Sequence, residues 1–180
     1  VGLNKTRSGL IEILLSMGAA IEISNKKIQC NEEVGDIHVS SSELKGVNVP
    51  ETIIPNIIDE IPILSVAAIF AEGTTTIKNA SELKVKESDR LNAITDGLSK
   101  LKISHQLFDD GLSIEGCGGQ IDTSETINSF DDHRIAMSFL VAGARSKNGI
   151  IVRDCKNIET SFPNFTKLMN NLGMSINEKD

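Results

Sequence analysis

The sequence predicts an α/β protein in which short strands alternate with amphipathic helices, and three observations support this class. Apolar residues recur at helical spacing in several segments, strict alternation marks others as strands, and similar segments return along the chain. With 180 residues and 39% hydrophobic content, the chain has enough apolar material for a core, either as one domain or as two small lobes.

The first quarter of the chain predicts a helix followed by strands. Residues 4–18 carry an apolar stripe that ends at a glycine, which is typical of a helix and its C-terminus. Three strands are predicted next, the first two joined by a hairpin turn at Asn25: residues 20–24, 26–30 and 35–40. Residues 40–49 are polar and precede Pro50, so a loop is expected there.

The middle of the chain predicts two helices separated by a strand. Pro62 lies in the first turn of a predicted buried helix over residues 63–71, which places Asp59 at the mouth of that helix. A β-branched strand is expected at residues 74–78. Ser88 is predicted to cap a helix over residues 88–101, whose apolar positions share one face.

The last third predicts a hairpin and two further helices. Asp109-Asp110-Gly111 is a strong turn signal between strands at 103–108 and 112–115. The remaining elements are predicted in this order: a weak strand at 120–126, a helix at 135–144, a strand at 149–153, and a last helix opened by Ser161-Phe162-Pro163.

Two alignments within the chain indicate an internal repeat. The helix-to-strand exits at residues 15–21, 98–103 and 169–174 are alike, and the segments 59–77 and 132–152 both read as an acid, a buried helix, small residues and a strand. Spacings of roughly 70 to 85 residues predict an α/β unit used about three times around a shared core. The alternative explanation for these alignments is that the segments of any α/β chain resemble one another at this level of detail, without a true repeat.

Charge and cysteine content limit the classes of partner and compartment. The net charge is −7 and no basic run is present, which argues against a nucleic-acid surface and favours a small anion as the ligand. Three widely separated cysteines without metal-site spacing predict reduced, partly buried thiols and a cytoplasmic protein.

Two features of the sequence bear on its cellular context. The longest apolar run, residues 61–71, is about half of what a bilayer requires, so no membrane association is expected. The chain opens on Val1 rather than Met, which suggests a fragment of something longer.

The stretch from Lys86 to Arg90 is the first candidate site. Arg90 is expected in the first turn of a helix, where free N–H groups and two cations form a plausible seat for a phosphate or carboxylate. Glu87 would lie at its rim, placed to move a proton. The alternative is a solvated helix start in which Glu87, Asp89 and the cations satisfy one another.

Asp132-His133-Arg134 is the second candidate. Asp132 can cap the helix that follows, while Arg134 needs an anion or a carboxylate partner, with Asp131 or Asp132 as the alternative. His133 can act as an acid, a base or a hydrogen-bond donor, or serve a structural role. The other two histidines, His38 and His105, are interpreted as surface residues, and no metal site is indicated.

Asp59 adds a carboxylate at a third helix mouth, with Glu60 as its rival and a simple N-cap as the alternative role. Two carboxylates among several cations, with no Ser or Cys nucleophile arrangement, suit general acid–base work on an anionic substrate.

Taken together, these motifs resemble the EPSP synthase (3-phosphoshikimate 1-carboxyvinyltransferase) family. Five strings appear in the family's order over nearly the whole chain: Asn4-Lys5-Thr6-Arg7-Ser8-Gly9, Ile57-Ile58-Asp59-Glu60-Ile61-Pro62 with Phe70-Ala71-Glu72-Gly73, Leu83-Lys84-Val85-Lys86-Glu87-Ser88-Asp89-Arg90-Leu91, Asp132-His133-Arg134-Ile135-Ala136-Met137, and Thr160-Ser161-Phe162-Pro163. No single string is decisive, but five in register are highly specific.

The resemblance implies a fold of two lobes, each made of three βαβαββ units, described as the inside-out α/β barrel of enolpyruvyl transferases. Residues 1–180 would form the C-terminal lobe, and the N-terminal lobe would be absent. The implied substrates are shikimate 3-phosphate and phosphoenolpyruvate, with no metal and no organic cofactor.

The resemblance also implies residue roles. Lys86 would bind the 3-phosphate, Arg90 and Arg134 would hold phosphoenolpyruvate, and His133 would line the same pocket. Asp59 and Glu87 would share the proton transfers. Aromatic amino acid biosynthesis and the family's standing as the target of glyphosate are further expectations, although the acid pair before Pro62 is similar to the pattern of the family's glyphosate-insensitive branch. The chain by itself is expected to bind rather than to turn over substrate.

Two departures from the family's pattern are visible. Many members have an aspartate directly after the proline where this chain has Ile63, and many have a lysine where it has Thr160. Lys156 is close to the second position but is not taken as its replacement. The alternatives are a lobe of a UDP-N-acetylglucosamine carboxyvinyltransferase, against which no reactive-cysteine loop is found, and a non-catalytic anion-binding repeat module.

Overall fold

The structure, a computed structural model, describes residues 1–123 and 125–178 and is a mixed α/β arrangement. The α-helices are α1 Gly9–Ser16, α2 Ile54–Ile57, α3 Ile61–Ile69, α4 Arg90–Lys100, α5 His133–Gly143, α6 Asn157–Ser161 and α7 Phe165–Asn171. The strands are β1 Ala20–Gln29, β2 Glu32–Ser40, β3 Glu72–Ile77, β4 His105–Phe108, β5 Gly111–Cys117, β6 Thr126–Asn128 and β7 Ile151–Arg153. Short 3-10 turns flank α2 at Glu51–Ile53 and Ile58–Glu60, and another spans Ser81–Val85.

The strands form three small sheets. β1 and β2 are an antiparallel hairpin, β5 lies between β3 and β4 with antiparallel pairing on both sides, and β6 pairs in parallel with β7. Isolated parallel bridges from Lys45 and Asn48 to β3 extend the second sheet. The helical segment 51–69 therefore connects residues 45–48 to β3, which run parallel to each other. In the same way, α5 connects the parallel strands β6 and β7.

The predicted repeat is visible in how three helices end. In each case the second residue after the helix has a left-handed backbone: Gly18, Lys102 and Gly173 have φ values of 91°, 58° and 97°. The next amide donates to the carbonyl five residues earlier, as in Ala19 to Leu14, Ile103 to Leu98 and Met174 to Met169. The first two exits lead into strands, whereas the described residues after Gly173 form none.

The core is centred on α3, which packs against α5 and β5. Its side chains are buried on almost all sides, which explains the continuous apolar run: Ile61, Pro62, Leu64, Ser65, Val66, Ala68 and Ile69. A second, smaller cluster joins α5 to the last two helices through Ala136, Ile158 and Phe165.

Several predicted boundaries in the first half are wrong. The first helix is shorter than residues 4–18. The two strands predicted around Asn25 are one strand, because Asn25 (φ 51°) lies in an irregularity between Ser24 and Lys27. The turn comes later, where Cys30 and Asn31 have positive φ values of 51° and 66°.

In the second half the hairpin at Asp109-Asp110 is confirmed, since Phe108 pairs with Gly111. The strand expected at 120–126 is instead β6, and Ser124 lies outside the described residues. Ser161-Phe162-Pro163 does not open the last helix: Ser161 ends α6, and Phe162, Pro163 and Asn164 (φ 67°) connect it to α7. Position 160, where many relatives have lysine, is an exposed threonine on α6.

The expectation that the cysteines are partly buried also needs correction. Cys30 and Cys117 are exposed rather than partly buried, and Cys155 is half-buried; all three are free thiols. One helical stretch, Glu51–Ile69, reaches membrane-spanning length and composition, with 19 residues and a mean hydropathy of 1.5. More than half of it is buried inside the protein, and the core helix of a soluble protein passes the same test.

Candidate functional site

The N-termini of three helical segments bring the predicted site residues together around Asp59. Asp59 lies in the 3-10 turn before α3, Arg90 begins α4, and Arg134 lies in the first turn of α5. Arg90 Nη1 is 3.0 Å from Asp59 Oδ1, and Arg134 Nη2 is 3.6 Å from Asp59 Oδ2. The two guanidinium groups therefore converge on one carboxylate, although they are 44 positions apart in sequence.

Lys86 lies on the loop before α4 and points to the same place. Its Nζ is 3.6 Å from Asp59 Oδ1 and 2.5 Å from Glu82 Oε1. The hydrogen bond with Glu82 raises the pKa of Lys86; partial burial opposes this, and the charge of Asp59 adds to it. Lys86 is therefore held as a cation. Glu82 was not identified from the sequence, although its spacing four residues before Lys86 was a usable signal.

Like Asp132, Arg90 is a fully buried charged group of the cluster. Its side chain is 0% exposed, and each guanidinium nitrogen faces a different carboxylate. Nε donates to Asp132 Oδ2 at 2.8 Å, Nη1 to Asp59 at 3.0 Å, and Nη2 to Glu87 Oε2 at 2.5 Å. A buried arginine without such partners would be strongly destabilising, so these carboxylates are what allow Arg90 to be buried.

Asp132 connects the first turn of α5 to Arg90. Its Oδ1 accepts hydrogen bonds from the backbone amides of Arg134 (2.9 Å) and Ile135 (3.3 Å), so it caps α5 as predicted. Its Oδ2 accepts from Arg90 Nε and from Ser88 Oγ at 3.1 Å. The contact with Arg90 was not foreseen, because 42 residues separate the two and only the packing of α5 beside α4 brings them together.

The backbone before Asp132 has an unusual conformation, which places the Asp132 side chain next to Arg90. Phe130 and Asp131 have left-handed φ values of 55° and 57°, which are uncommon for residues other than glycine. The Asn157 side chain donates to the Asp131 carbonyl at 2.5 Å, and the Asn128 side chain accepts from the Phe130 amide at 2.7 Å. The loop is therefore held at both ends by asparagine side chains.

Two carboxylates at the site have lowered pKa values. For Asp59, burial would raise the pKa, but the charges of Arg134, Lys86 and Arg90 and the Arg90 hydrogen bond together outweigh burial. For Asp132, burial again opposes the shift, and Arg90 with the helix amides brings the pKa below its ordinary value. Both groups are therefore ionised near neutral pH.

Several sequence interpretations are corrected by this geometry. Asp89, not Ser88, caps α4, accepting from the Asn92 amide at 3.1 Å. Asp59 is not the N-cap of α3; Glu60 occupies that position without a side-chain cap bond. The Arg134 guanidinium does not pair with Asp131 or Asp132 but reaches Asp59 and, at 3.8 Å, Glu60.

The three cations are paired with carboxylates and do not form an open anion-binding site. Within the described ranges, Lys86, Arg90 and Arg134 contact five carboxylates, so the network carries a formal charge of −2: Asp59, Glu60, Glu82, Glu87 and Asp132. The alternative in which Glu87, Asp89 and the cations satisfy one another is thus correct for Glu87, which pairs with Arg90, but not for Asp89, which caps α4 and bonds Asn92. His133 begins α5 and is half-buried, and residues 1–123 and 125–178 offer its ring no hydrogen-bond partner.

Neither of the other two histidines joins this cluster. His38 lies on β2, and His105 on β4 donates a hydrogen bond from Nδ1 to the Ile103 carbonyl at 2.8 Å. Among residues 1–123 and 125–178, no group of three His, Cys, Asp or Glu side chains is arranged to hold a metal ion.

Comparisons with known proteins agree with the motifs. The sequence profile of EPSP synthase (3-phosphoshikimate 1-carboxyvinyltransferase) matches residues 1–169. A 3-phosphoshikimate 1-carboxyvinyltransferase of Legionella pneumophila is 46% identical over 99% of this chain, and one of Coxiella burnetii is 46% identical over 98%. The chain spans about 40% of the length of these relatives.

Solved structures give the same result. EPSP synthase from Acinetobacter baumannii superimposes with a TM-score of 0.96 at 43% identity, covering 100% of this chain and 42% of that one. The enolpyruvyl transferase NikO from Streptomyces tendae matches 95% of this chain and 36% of that one with a TM-score of 0.68, and at 19% identity it supports the fold alone. From the five motifs, the profile match and these similarities together, the chain belongs to the EPSP synthase family.

Proposed function

We propose that the longer protein containing this chain transfers the carboxyvinyl group of phosphoenolpyruvate to the 5-hydroxyl of shikimate 3-phosphate, with release of phosphate. The observation that carries the proposal is the convergence of Lys86, Arg90 and Arg134 on Asp59, with Glu87 on the same arginine. Cations grouped beside two carboxylates can bind phosphorylated and carboxylated metabolites and move protons between them.

Each residue has a role in this proposal. Lys86 binds the 3-phosphate of the acceptor, and Arg90 and Arg134 hold phosphoenolpyruvate, whose pocket His133 lines. A charge-assisted hydrogen bond between an arginine and a carboxylate or phosphate is strong and directional. The two arginines therefore orient the enol for attack.

The reaction divides into two steps. The 5-hydroxyl oxygen attacks C2 of phosphoenolpyruvate, its proton passes to one of Asp59 and Glu87, and the other delivers a proton to the methylene carbon. The resulting tetrahedral intermediate loses phosphate, and its methyl group returns a proton to the carboxylate pair, which leaves the enol ether. The chemistry needs acid–base groups and anion binding but no metal or organic cofactor.

Asp59 is a weak base in the arrangement described above, because three cations lower its pKa and outweigh burial. A bound anion shares those cations and adds negative charge beside Asp59, and both effects raise the pKa of a carboxyl group. In this proposal, substrate binding therefore makes Asp59 more basic. Glu60 remains a rival for the same step, 3.8 Å from Arg134 Nη1.

We further propose that residues 1–180 act as the C-terminal lobe of the two-lobed protein, with the missing N-terminal lobe as its partner. The chain alone binds ligand weakly and does not turn over. Free cysteines fit a cytoplasmic location, and membership of the family fits a place in aromatic amino acid biosynthesis and inhibition by glyphosate.

The test is phosphate release by the longer protein in the presence of phosphoenolpyruvate and shikimate 3-phosphate. Asp59→Asn should lower turnover by roughly 100-fold or more, since acid–base groups contribute about that much. Asp122→Asn is the control, because among the described residues Asp122 pairs with the exposed side chains of Lys147 at 3.5 Å and Asn148 at 2.9 Å. Release that requires a UDP-sugar as acceptor, or no release with either acceptor, would contradict the proposal.

A further inference from the structure

Arg90 is closed to a ligand by its surroundings in the structure. The side chain is fully buried, and its three nitrogens each face one carboxylate, on Asp132, Asp59 and Glu87. Because the guanidinium group is fully buried, an anion can reach it only when a neighbouring side chain moves, and the three carboxylates are the groups that occupy its nitrogens.

The three carboxylates differ in how firmly they are held. Asp132 is 0% exposed and accepts four hydrogen bonds, two of them from the amides of α5. Asp59 contacts three cations, and its side chain is 31% exposed. Both would lose several interactions by moving.

Glu87 is held by one partner. Within the described part of the chain its carboxylate contacts only Arg90 Nη2, at 2.5 Å, and its side chain is 52% exposed. A half-exposed carboxylate regains hydration when it turns outward, so its displacement costs far less than that of Asp132.

We propose that Glu87 occupies the place on Arg90 that a substrate anion takes, so that anion binding displaces the Glu87 carboxylate while Asp132 keeps Arg90 in position. The exchange concerns any phosphate or carboxylate of suitable size; that the anion is phosphoenolpyruvate rests on the proposed function. The Glu87 carboxylate is released from Arg90 when the anion binds, and it then lies directly beside the bound anion. Binding and delivery of the acid–base group are thereby coupled.

Removal of a competing carboxylate should tighten anion binding even where it abolishes turnover. We would titrate the longer protein by calorimetry with phosphoenolpyruvate in the presence of shikimate 3-phosphate, and separately with inorganic phosphate alone. Glu87→Ala should lower Kd for both anions by about 3- to 10-fold, the range of a partly screened ion pair. Glu87→Gln should have a smaller effect in the same direction, because its amide oxygen can still accept from Arg90.

The control is Glu115→Gln, which makes the same change of net charge on the exposed face of β5, where Glu115 belongs to no ion pair among residues 1–123 and 125–178. If Glu115→Gln bound the anions as much more tightly as the Glu87 variants do, the proposed displacement of Glu87 would be overturned, since the change in net charge alone would then explain the effect. Unchanged or weaker binding in both Glu87 variants, with an unaltered circular dichroism spectrum, would also overturn it, as would no binding of either anion.

The two titrations and the turnover assay distinguish the displacement of Glu87 by an anion from the proposed transferase function. Tighter phosphate binding by the variants, in a protein that ignores phosphoenolpyruvate, supports the exchange and contradicts the transferase. Turnover of phosphoenolpyruvate by the parent protein, without tighter binding in the variants, supports the transferase and overturns the exchange.

Discussion

Asp132 is the side chain through which the geometry of the cluster is fixed. It is fully buried, and its two oxygens accept hydrogen bonds from α5, from Arg90 and from Ser88. With every acceptor position used and its pKa lowered, it is unsuited to proton transfer. Its contribution is to hold Arg90 against the first turn of α5, where Arg134 lies.

Asp132→Asn should lower the free energy of unfolding by about 3–5 kcal/mol, because it removes one partner of a buried ion pair. The loss should depend on pH. The folded pKa lies below the ordinary value of 3.8, so the stabilisation by Asp132 is complete above that value and is lost as pH falls through the folded pKa. Urea unfolding between pH 2 and 7 checks this; a difference between variant and parent that does not shrink at acid pH would contradict it.

Ser88→Ala should lower turnover of the longer protein by roughly fivefold, the value of about one hydrogen bond. Ser88 Oγ ties the loop that carries Lys86 and Glu87 to Asp132, at 3.1 Å. Steady-state kinetics should show the change in kcat, and Ser88→Thr should restore it because the hydroxyl is kept.

Ser99→Ala is the matched control for the Ser88 variants. Ser99 lies in α4 and donates to the Thr95 carbonyl at 2.9 Å, away from the cluster. A Thr variant at position 88 that is as slow as the Ala variant would show that the hydroxyl is not what matters.

At the scale of elements, the site depends on how closely α4 approaches α5. Gly97 in α4 allows this approach, because a Cβ there would lie 2.1 Å from the Phe139 ring of α5. Phe139 is itself 2% exposed and has little room to move. The glycine therefore sets the distance between the helices whose first turns carry Arg90 and Arg134.

Gly97→Ala should lower the free energy of unfolding by about 1–3 kcal/mol, since overpacking outweighs the gain in helix propensity. Gly143→Ala is the control, because its Cβ would meet Ile150 at an ordinary 3.8 Å. Denaturant titration of both variants checks this. Combining Gly97→Ala with Phe139→Leu should recover part of the loss; an unchanged midpoint for Gly97→Ala alone would refute the packing argument.

At the scale of the whole molecule, exposed apolar side chains group around the last helices and on the first hairpin, and others such as Val85 and Phe130 are exposed elsewhere. Phe162 just after α6, Leu168 in α7 and Leu172 at the end of α7 are 40%, 43% and 72% exposed, and the β1–β2 hairpin carries Ile28 and Val39. The small cluster under α6 and α7 buries only one face of these helices. Exposed apolar side chains grouped in this way favour association.

The 180-residue chain should therefore self-associate weakly through the last helices. Sedimentation velocity over a concentration series should show a rising mean mass for the parent chain and a smaller rise for Leu168→Lys combined with Leu172→Lys. Ile28→Lys tests the hairpin instead. A clean monomer at high concentration, or association abolished only by the hairpin variant, would count against the prediction.

The sequence by itself determined the elements and the chemical inventory. Helical spacing, the cap at Asp132, the hairpin at Asp109-Asp110 and the repeated helix exits are local patterns, because hydrogen bonds within a few residues produce them. The five motifs were equally local, and the family that they indicated is confirmed. Boundaries failed where the backbone departs from regular geometry, as in the strand through Asn25.

Tertiary structure alone decided which charges meet. Asp59, Arg90 and Asp132 lie 31 and 42 positions apart, and nothing local specifies that one arginine joins both carboxylates. The sequence also left open whether the cations were free, since only packing shows five carboxylates around three of them. Ion pairing depends on distances across the fold, whereas helices and turns depend on neighbours along the chain.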